Sequence, residues 1–300
     1  MSGDSLGALA ALGTAALWAG SYTAFTLAVR RIGADHLNRL RLLFALVLLV
    51  LAHLVVEGTP IPLHAEGSRW LWLSLSGVIG FAIADAFLFR ALLHLGAHRT
   101  SLLAALIPVV STFLAWAAFG ESLGWLQALA SLAVVGGIFL VLAGRRSGGD
   151  GAPRGSLKLG VLFALGAVVA QASRYLLSVL GMRGGFPPLS TNVMQILAAT
   201  SAAWIFVGRR RGWAETLTAL RDRRAAAATV AGAVLGPTVG VTLSLIALGH
   251  ASVGMASTLM SVTPVFLLPV SRVAFGERPT WRAYAGTALA VAGVAGLFLV

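Results

Sequence analysis

Two stretches of equal length decide the architecture: ALIPVVSTFLAWAAFGESLGW at residues 105–125 and SVTPVFLLPVSRVAFGERPTW at residues 261–281. An offset of 156 residues brings Pro108 onto Pro264, Phe119-Gly120-Glu121 onto Phe275-Gly276-Glu277, and Trp125 onto Trp281. The match continues on both sides, with Gly80 on Gly236, Ala91 on Ala247, His94 on His250 and Gly137 on Gly293. Further upstream an offset of 153 sets Ala11-Leu12-Gly13 on Ala164-Leu165-Gly166, and Tyr22 on Tyr175. A fixed proline-to-glutamate interval with flanking matches on both sides marks a duplicated unit. The boundaries that follow are residues 1–144 for the first copy, 145–156 for a Gly/Ser-rich charged linker, and 157–300 for the second.

Composition says what solvent surrounds these copies. Hydrophobic residues make up 58% of the chain and charged residues 11%, with a mean hydropathy of +0.89. A soluble domain carries about 25% charged residues, so this chain has too little polar surface to cover itself in water. Apolar stretches close to the roughly 20 residues needed to cross a bilayer recur about ten times, five in each copy. The first, opening at Leu6, is too long for a signal-peptide core and reads as a retained helix. Residues 208–224 interrupt the series with a basic cluster and a short surface helix expected around Trp213–Leu220.

The 22 basic residues alternate in placement. Counting spans in order, nearly all fall in the odd-to-even loops, and only Arg69, Arg174 and Arg183 fall on the other side. Lys and Arg accumulate on the cytoplasmic face, which predicts both termini on the outer side of a bacterial-type inner membrane. An odd number of helices per copy makes the second copy enter the membrane from the opposite side. The fold class expected is therefore an all-α membrane protein, ten transmembrane helices in two inverted five-helix repeats around a central cavity. Inverted repeats of this kind are built for alternating access around a midplane site.

The paired Pro and Phe-Gly-Glu motifs, the Gly-rich helix that ends each copy, and the opening Ala16-Leu17-Trp18-Ala19-Gly20-Ser21 together resemble the EamA-type branch of the drug/metabolite transporter superfamily. The resemblance spans nearly the whole chain. It implies a ten-helix carrier of small metabolites, often an exporter of amino acids or related compounds.

At about 1.5 Å per helical residue, Pro108, Pro237 and Pro264 come out near the midplane. Each proline removes a backbone donor, which lipid tolerates only against protein or a wet cavity, so kinks lining a path and plain packing bends are both open. Asp85 is the one acid deep within a span, and an intramembrane carboxylate is a functional candidate by default. It can be a proton or substrate-amine site, or the fixed partner of Arg41 on the preceding helix. Arg174 can snorkel outward or hold the carboxylate of a solute, with Gln171 and Gln195 at similar depth; interhelical bonding through these amides and Asn192 is the alternative. Trp18, Tyr22 and its counterpart Tyr175 are candidate walls, and Ser261 a candidate hydroxyl contact. Trp116, Trp125, Trp204 and Trp281 read as interfacial anchors. Glu121 and Glu277 suit the N-terminus of the following helix.

Cysteine is absent, which excludes thiol chemistry and disulfides. No phosphate loop, paired carboxylates or catalytic triad occurs, and His94 with His98 lacks an acidic third metal ligand. No cofactor, metal or nucleic acid is expected, and the partners are a small-molecule solute and the bilayer. The small residues Ala133, Gly137, Gly286, Ala290 and Gly293 would suit close packing or a homodimer. The function expected is a secondary transporter of small polar or zwitterionic metabolites, amino acids first, by export. A broad drug/cation exporter is the second reading, weakened because helix 1 has no embedded acid. A membrane-embedded enzyme or a non-transporting assembly subunit is the reading from another class.

Overall fold

The computed structural model describes residues 3–119, 125–142, 155–208, 212–250, 259–276 and 280–298. Among them the regular structure is helical. In the first half the helices are α1 (Gly3–Ile32), α2 (Ala34–Glu57), α3 (Gly67–Gly77), α4 (Asp85–Leu95), α5 (Ala97–Ala104), α6 (Ile107–Phe119) and α7 (Trp125–Leu142). The second half carries α8 (Leu157–Met182), α9 (Pro188–Gly208), the short α10 (Gly212–Thr218), α11 (Arg223–Ala233), α12 (Val241–His250), α13 (Thr263–Phe275) and α14 (Trp281–Phe298). Among the described residues five continuous helical stretches are long and apolar enough to cross a membrane, and shorter apolar helices accompany them. The surface helix expected near Trp213 is α10. Glu121, Glu277 and most of the 145–156 linker lie outside the described residues, as does the side chain of Trp116.

The burial pattern is that of a protein in lipid. Val47, Leu51, Leu132, Phe139 and Val273 face outward, while Arg41, Arg174, Asn192 and Gln195 are buried. Buried threonines bond back to the carbonyl four residues earlier, as Thr14, Thr26, Thr200 and Thr229 do, which satisfies their hydroxyls without a partner helix. Single-residue turns at Gly33 (φ 79°) and Gly96 (φ 79°) fold α1 onto α2 and α4 onto α5, a conformation that glycine adopts without a Cβ penalty.

α3 and α4 form one rod with a seven-residue π-helical stretch, π1 (Val78–Ala84), set into it. α11 and α12 repeat the arrangement around π2 (Val234–Gly240). The two stretches are in register at the 156-residue offset, and π-helical turns inside α-helices are frequent at functional sites.

The sites of Pro108 and Pro264 are helix breaks rather than the kinks expected. Turns at Ala105–Leu106 and Ser261–Val262 interrupt the helix, and each proline sits in the first turn of the helix that follows. There its missing N–H would be unbonded anyway. Pro237 lies within π2.

The halves interlock. α1 packs on α11, π2, α12 and α13 of the other half, and α8 packs reciprocally on α3, π1, α4 and α6. α7 and α14 pair along their length. A Cβ on Gly137 would meet the Gly286 carbonyl, and one on Gly293 the Val134 backbone, so the small-residue stripe is consumed within this chain.

Candidate functional site: a cavity between the halves

Where α1 and α8 cross the π segments of the opposite halves, they enclose a cavity of about 500 Å³. Its wall brings together Trp18 and Tyr22 from α1, Arg41 from α2, Asp85 from α4, and Gln171, Arg174 and Tyr175 from α8. Pro108, Pro237, Ser261 and Pro264 complete the expected set on the wall. Gln195 is the exception. Its amide nitrogen donates to Ser76 Oγ (3.0 Å) and Ser178 Oγ (2.8 Å), so it ties α9 to α3 and α8 behind the cavity. Asn192 is likewise turned into packing, donating to the Pro237 carbonyl (2.8 Å) and Thr242 Oγ1 (3.0 Å).

Two buried cations and one acid set the electrostatics. Arg41 donates to Asp85 Oδ2 at 2.6 Å, to the Phe81 carbonyl at 2.8 Å and to Asn38 Oδ1 at 2.9 and 3.1 Å. It also lies over the Phe89 ring, 5.0 Å from its centroid. This is an ion pair supported by further hydrogen bonds on its guanidinium, a condition that helps a buried ion pair to be tolerated.

Arg174 is held differently. Its Nε donates to Gln171 Oε1 at 2.7 Å, and its guanidinium lies 4.6 Å from the Tyr175 ring centroid and 4.9 Å from that of Phe81. Among the described residues no carboxylate lies within ion-pair distance of it, and its side-chain bond to a protein acceptor is the one from Nε to Gln171. The cavity therefore combines a neutralised Arg41–Asp85 pair with a cation that still has donors to offer. A fixed planar fork of this kind matches a carboxylate bidentately.

The sequence matches the model of the EamA-like transporter family over residues 5–143 and again over residues 158–299. The chain belongs to the EamA-like transporter family. This EamA-like transporter is 26% identical over 291 residues to a protein of Streptantibioticus cattleyicolor described as a probable terminal-alkyne amino-acid exporter. That match covers 94% of this chain and 89% of the relative. A solved structure, described only as that of a protein, shares the fold with a TM-score of 0.66 at 20% identity over 96% of this chain and 95% of its own. The family and the named relative mark the chain as a membrane transporter rather than an enzyme.

Several residues that shape the site of this EamA-like transporter were missed in the sequence. Asn38 donates to the Ala82 carbonyl in π1 (2.9 Å), just as Asn192 does to Pro237 in π2. The signal was present as Asn-x-x-Arg at 38–41 against Asn-x-x-Gln at 192–195, an offset of 154. Phe81 and the hydroxyl pair Ser76–Ser178 carried no mark that separates them from ordinary packing residues.

Proposed function

We propose that this EamA-like transporter is a secondary carrier that exports small zwitterionic metabolites, amino acids above all, by alternating access. The observation that carries the reading is Arg174, a buried guanidinium on the cavity wall with no carboxylate at ion-pair distance among the described residues. A solute carboxylate is the natural partner, with Trp18, Tyr22 and Tyr175 walling the rest of the molecule. Two cations against one acid make the cavity a poor host for a permanent cation, which weighs against the drug/cation reading. The amino-acid exporter named among the relatives supports the same substrate class.

In this reading the chain forms ten spans, five from residues 1–144 and five oppositely inserted from 157–300, joined by the 145–156 linker. Both termini lie on the outer side of a bacterial-type inner membrane. The helix breaks at Pro108 and Pro264 sit at corresponding places in the two halves, where one half would rock against the other. Asp85 is the candidate for proton coupling, because it combines a place on the cavity wall with a partner, Arg41, that can hold its charge.

Proteoliposomes loaded with labelled leucine, phenylalanine, a sugar and a quaternary amine test the proposal. Efflux or counterflow of the amino acids, and not of the amine, is expected. No flux of any amino acid in either direction would overturn it. Loss of proton-driven uptake in Asp85→Asn, with counterflow retained, is expected of a coupling site; full proton-driven uptake would leave Asp85 as a structural partner only.

A further inference from the structure

Arg174 occupies its place because position 80 has no side chain. A Cβ built on Gly80 falls onto Arg174 Cδ and crowds Cγ and Nε. The arginine's alkyl chain thus lies against the backbone of π1, with its guanidinium near the Phe81 and Tyr175 rings. The partner half has the same notch. A Cβ on Gly236 would meet Ser21 Oγ, and Ser21 is the residue that the 153-residue offset places opposite Arg174. Each π segment therefore receives one residue from the first helix of the opposite half, an arginine in one notch and a serine in the other.

We infer that Gly80 is a positioning residue for substrate recognition: the π1 notch fixes the Arg174 guanidinium where it accepts the carboxylate of a zwitterionic solute, and the matching π2 notch at Gly236 has no such task. The inference rests on the amino-acid reading of the cavity. Methyl groups at the two positions act on different neighbours. At position 80 the obstacle is the middle of a long side chain, which yields by leaving its seat and takes the guanidinium with it. At position 236 the obstacle is a serine on the cavity wall that already donates to the Gly232 carbonyl (3.1 Å) and brings no charge.

The test uses the full-length protein in lipid nanodiscs with three probes of one skeleton: leucine, 4-methylpentanoate, which lacks the amine, and 3-methylbutylamine, which lacks the carboxylate. Wild-type protein should bind the first two and not the amine. Gly80→Ala should weaken leucine and 4-methylpentanoate at least tenfold, and Gly236→Ala should weaken them less than threefold. In an Arg174→Gln background, Gly80→Ala should have no further effect. A parallel readout needs no substrate: site-resolved modification of arginines by phenylglyoxal. Gly80→Ala should change the rate at Arg174 several-fold and leave exposed Arg282 unaltered.

Unchanged affinity together with an unchanged Arg174 rate overturns the inference. So does an equal loss in the Arg174→Gln background. Absence of binding by any probe to wild type, with the Arg174 rate still altered by Gly80→Ala, would overturn the amino-acid reading and leave the seat standing. Should Gly80→Ala fail to fold while Gly80→Ala with Arg174→Ala folds, the clash with Arg174 is shown directly.

Discussion

π1 and π2 are the same device put to two uses. Both are seven residues long, both sit at the same place in their repeats, and both have a carbonyl satisfied by an asparagine from the helix before. A π-helical stretch displaces the regular ladder and leaves backbone acceptors that a buried site must fill, and each half answers that need alike. The difference lies in what surrounds the segment. π1 runs into Asp85, takes Arg41 on its Phe81 carbonyl and seats Arg174, whereas π2 runs into Val241 and seats Ser21. Duplication conserved the backbone problem and its solution, while the charge collected on one side. A symmetric scaffold thereby acquires one polarised binding surface.

The largest test of this contrast is at the segment exits. Asp85→Leu strands the Arg41 guanidinium, and breaking a buried pair costs about 3–5 kcal/mol. Thermal unfolding in detergent should show that loss, and Arg41→Leu added to it should recover most of it, since an apolar replacement of both partners is about neutral. The matching truncation, Val241→Ala, removes two methyl groups, worth about 1.5 kcal/mol at roughly 0.8 per buried carbon. If Asp85→Leu and Val241→Ala cost the same, the two exits do not differ in the way described.

A middle-sized effect is expected at the asparagines. Removing a partner from a buried polar group costs about 1–3 kcal/mol. Asn38→Ala should fall at the upper end, because Asn38 also accepts two bonds from Arg41. Asn192→Ala should cost less, since its Oδ1 is buried without a partner and the substitution relieves that. Chemical denaturation of the two variants side by side checks the order, and the reverse order would contradict it.

The smallest effect concerns the helices that lead into the segments. α11 is capped by Asp222, whose Oδ1 accepts from the Ala225 and Arg224 amides and whose Oδ2 takes Arg31 at 2.8 Å. α3 begins after Glu66, which makes no side-chain cap bond. The Ala225 amide first, then Arg31, hold the Asp222 carboxyl below the usual carboxylate range. A depressed native value means that the stabilisation is present at neutral pH and is lost as pH falls below about 4, through the native value. Unfolding temperatures should therefore separate wild type from Asp222→Asn at pH 7 and converge towards pH 3. Glu66→Gln should track wild type throughout.

What the sequence made legible followed from composition and repetition. Apolar runs, the Pro-to-Glu interval and the Gly80–Gly236 match led to a helical membrane protein made of two copies, and depth counting found Asp85 with Arg41. Depth is a coordinate along the helix axis only. Gln171 and Gln195 count to similar depths along their helices, yet one faces the cavity and the other bonds to Ser76 of α3, because azimuth depends on how helices are rotated against each other. The π segments were hidden for a related reason: no residue type encodes a π turn as proline encodes a lost donor. The Asn38–Asn192 match was obscured by an offset that shifts from helix to helix with loop length.

The seam between α7 and α14 bears on how the two halves find each other. Glycine-to-backbone contact there needs no covalent link between the partners, only two copies of the same terminal helix in one bilayer. Each half therefore carries, in its last helix, the surface on which the other half docks. The modern chain should then tolerate being cut at the 145–156 linker, with its halves, made separately, reassembling in the membrane.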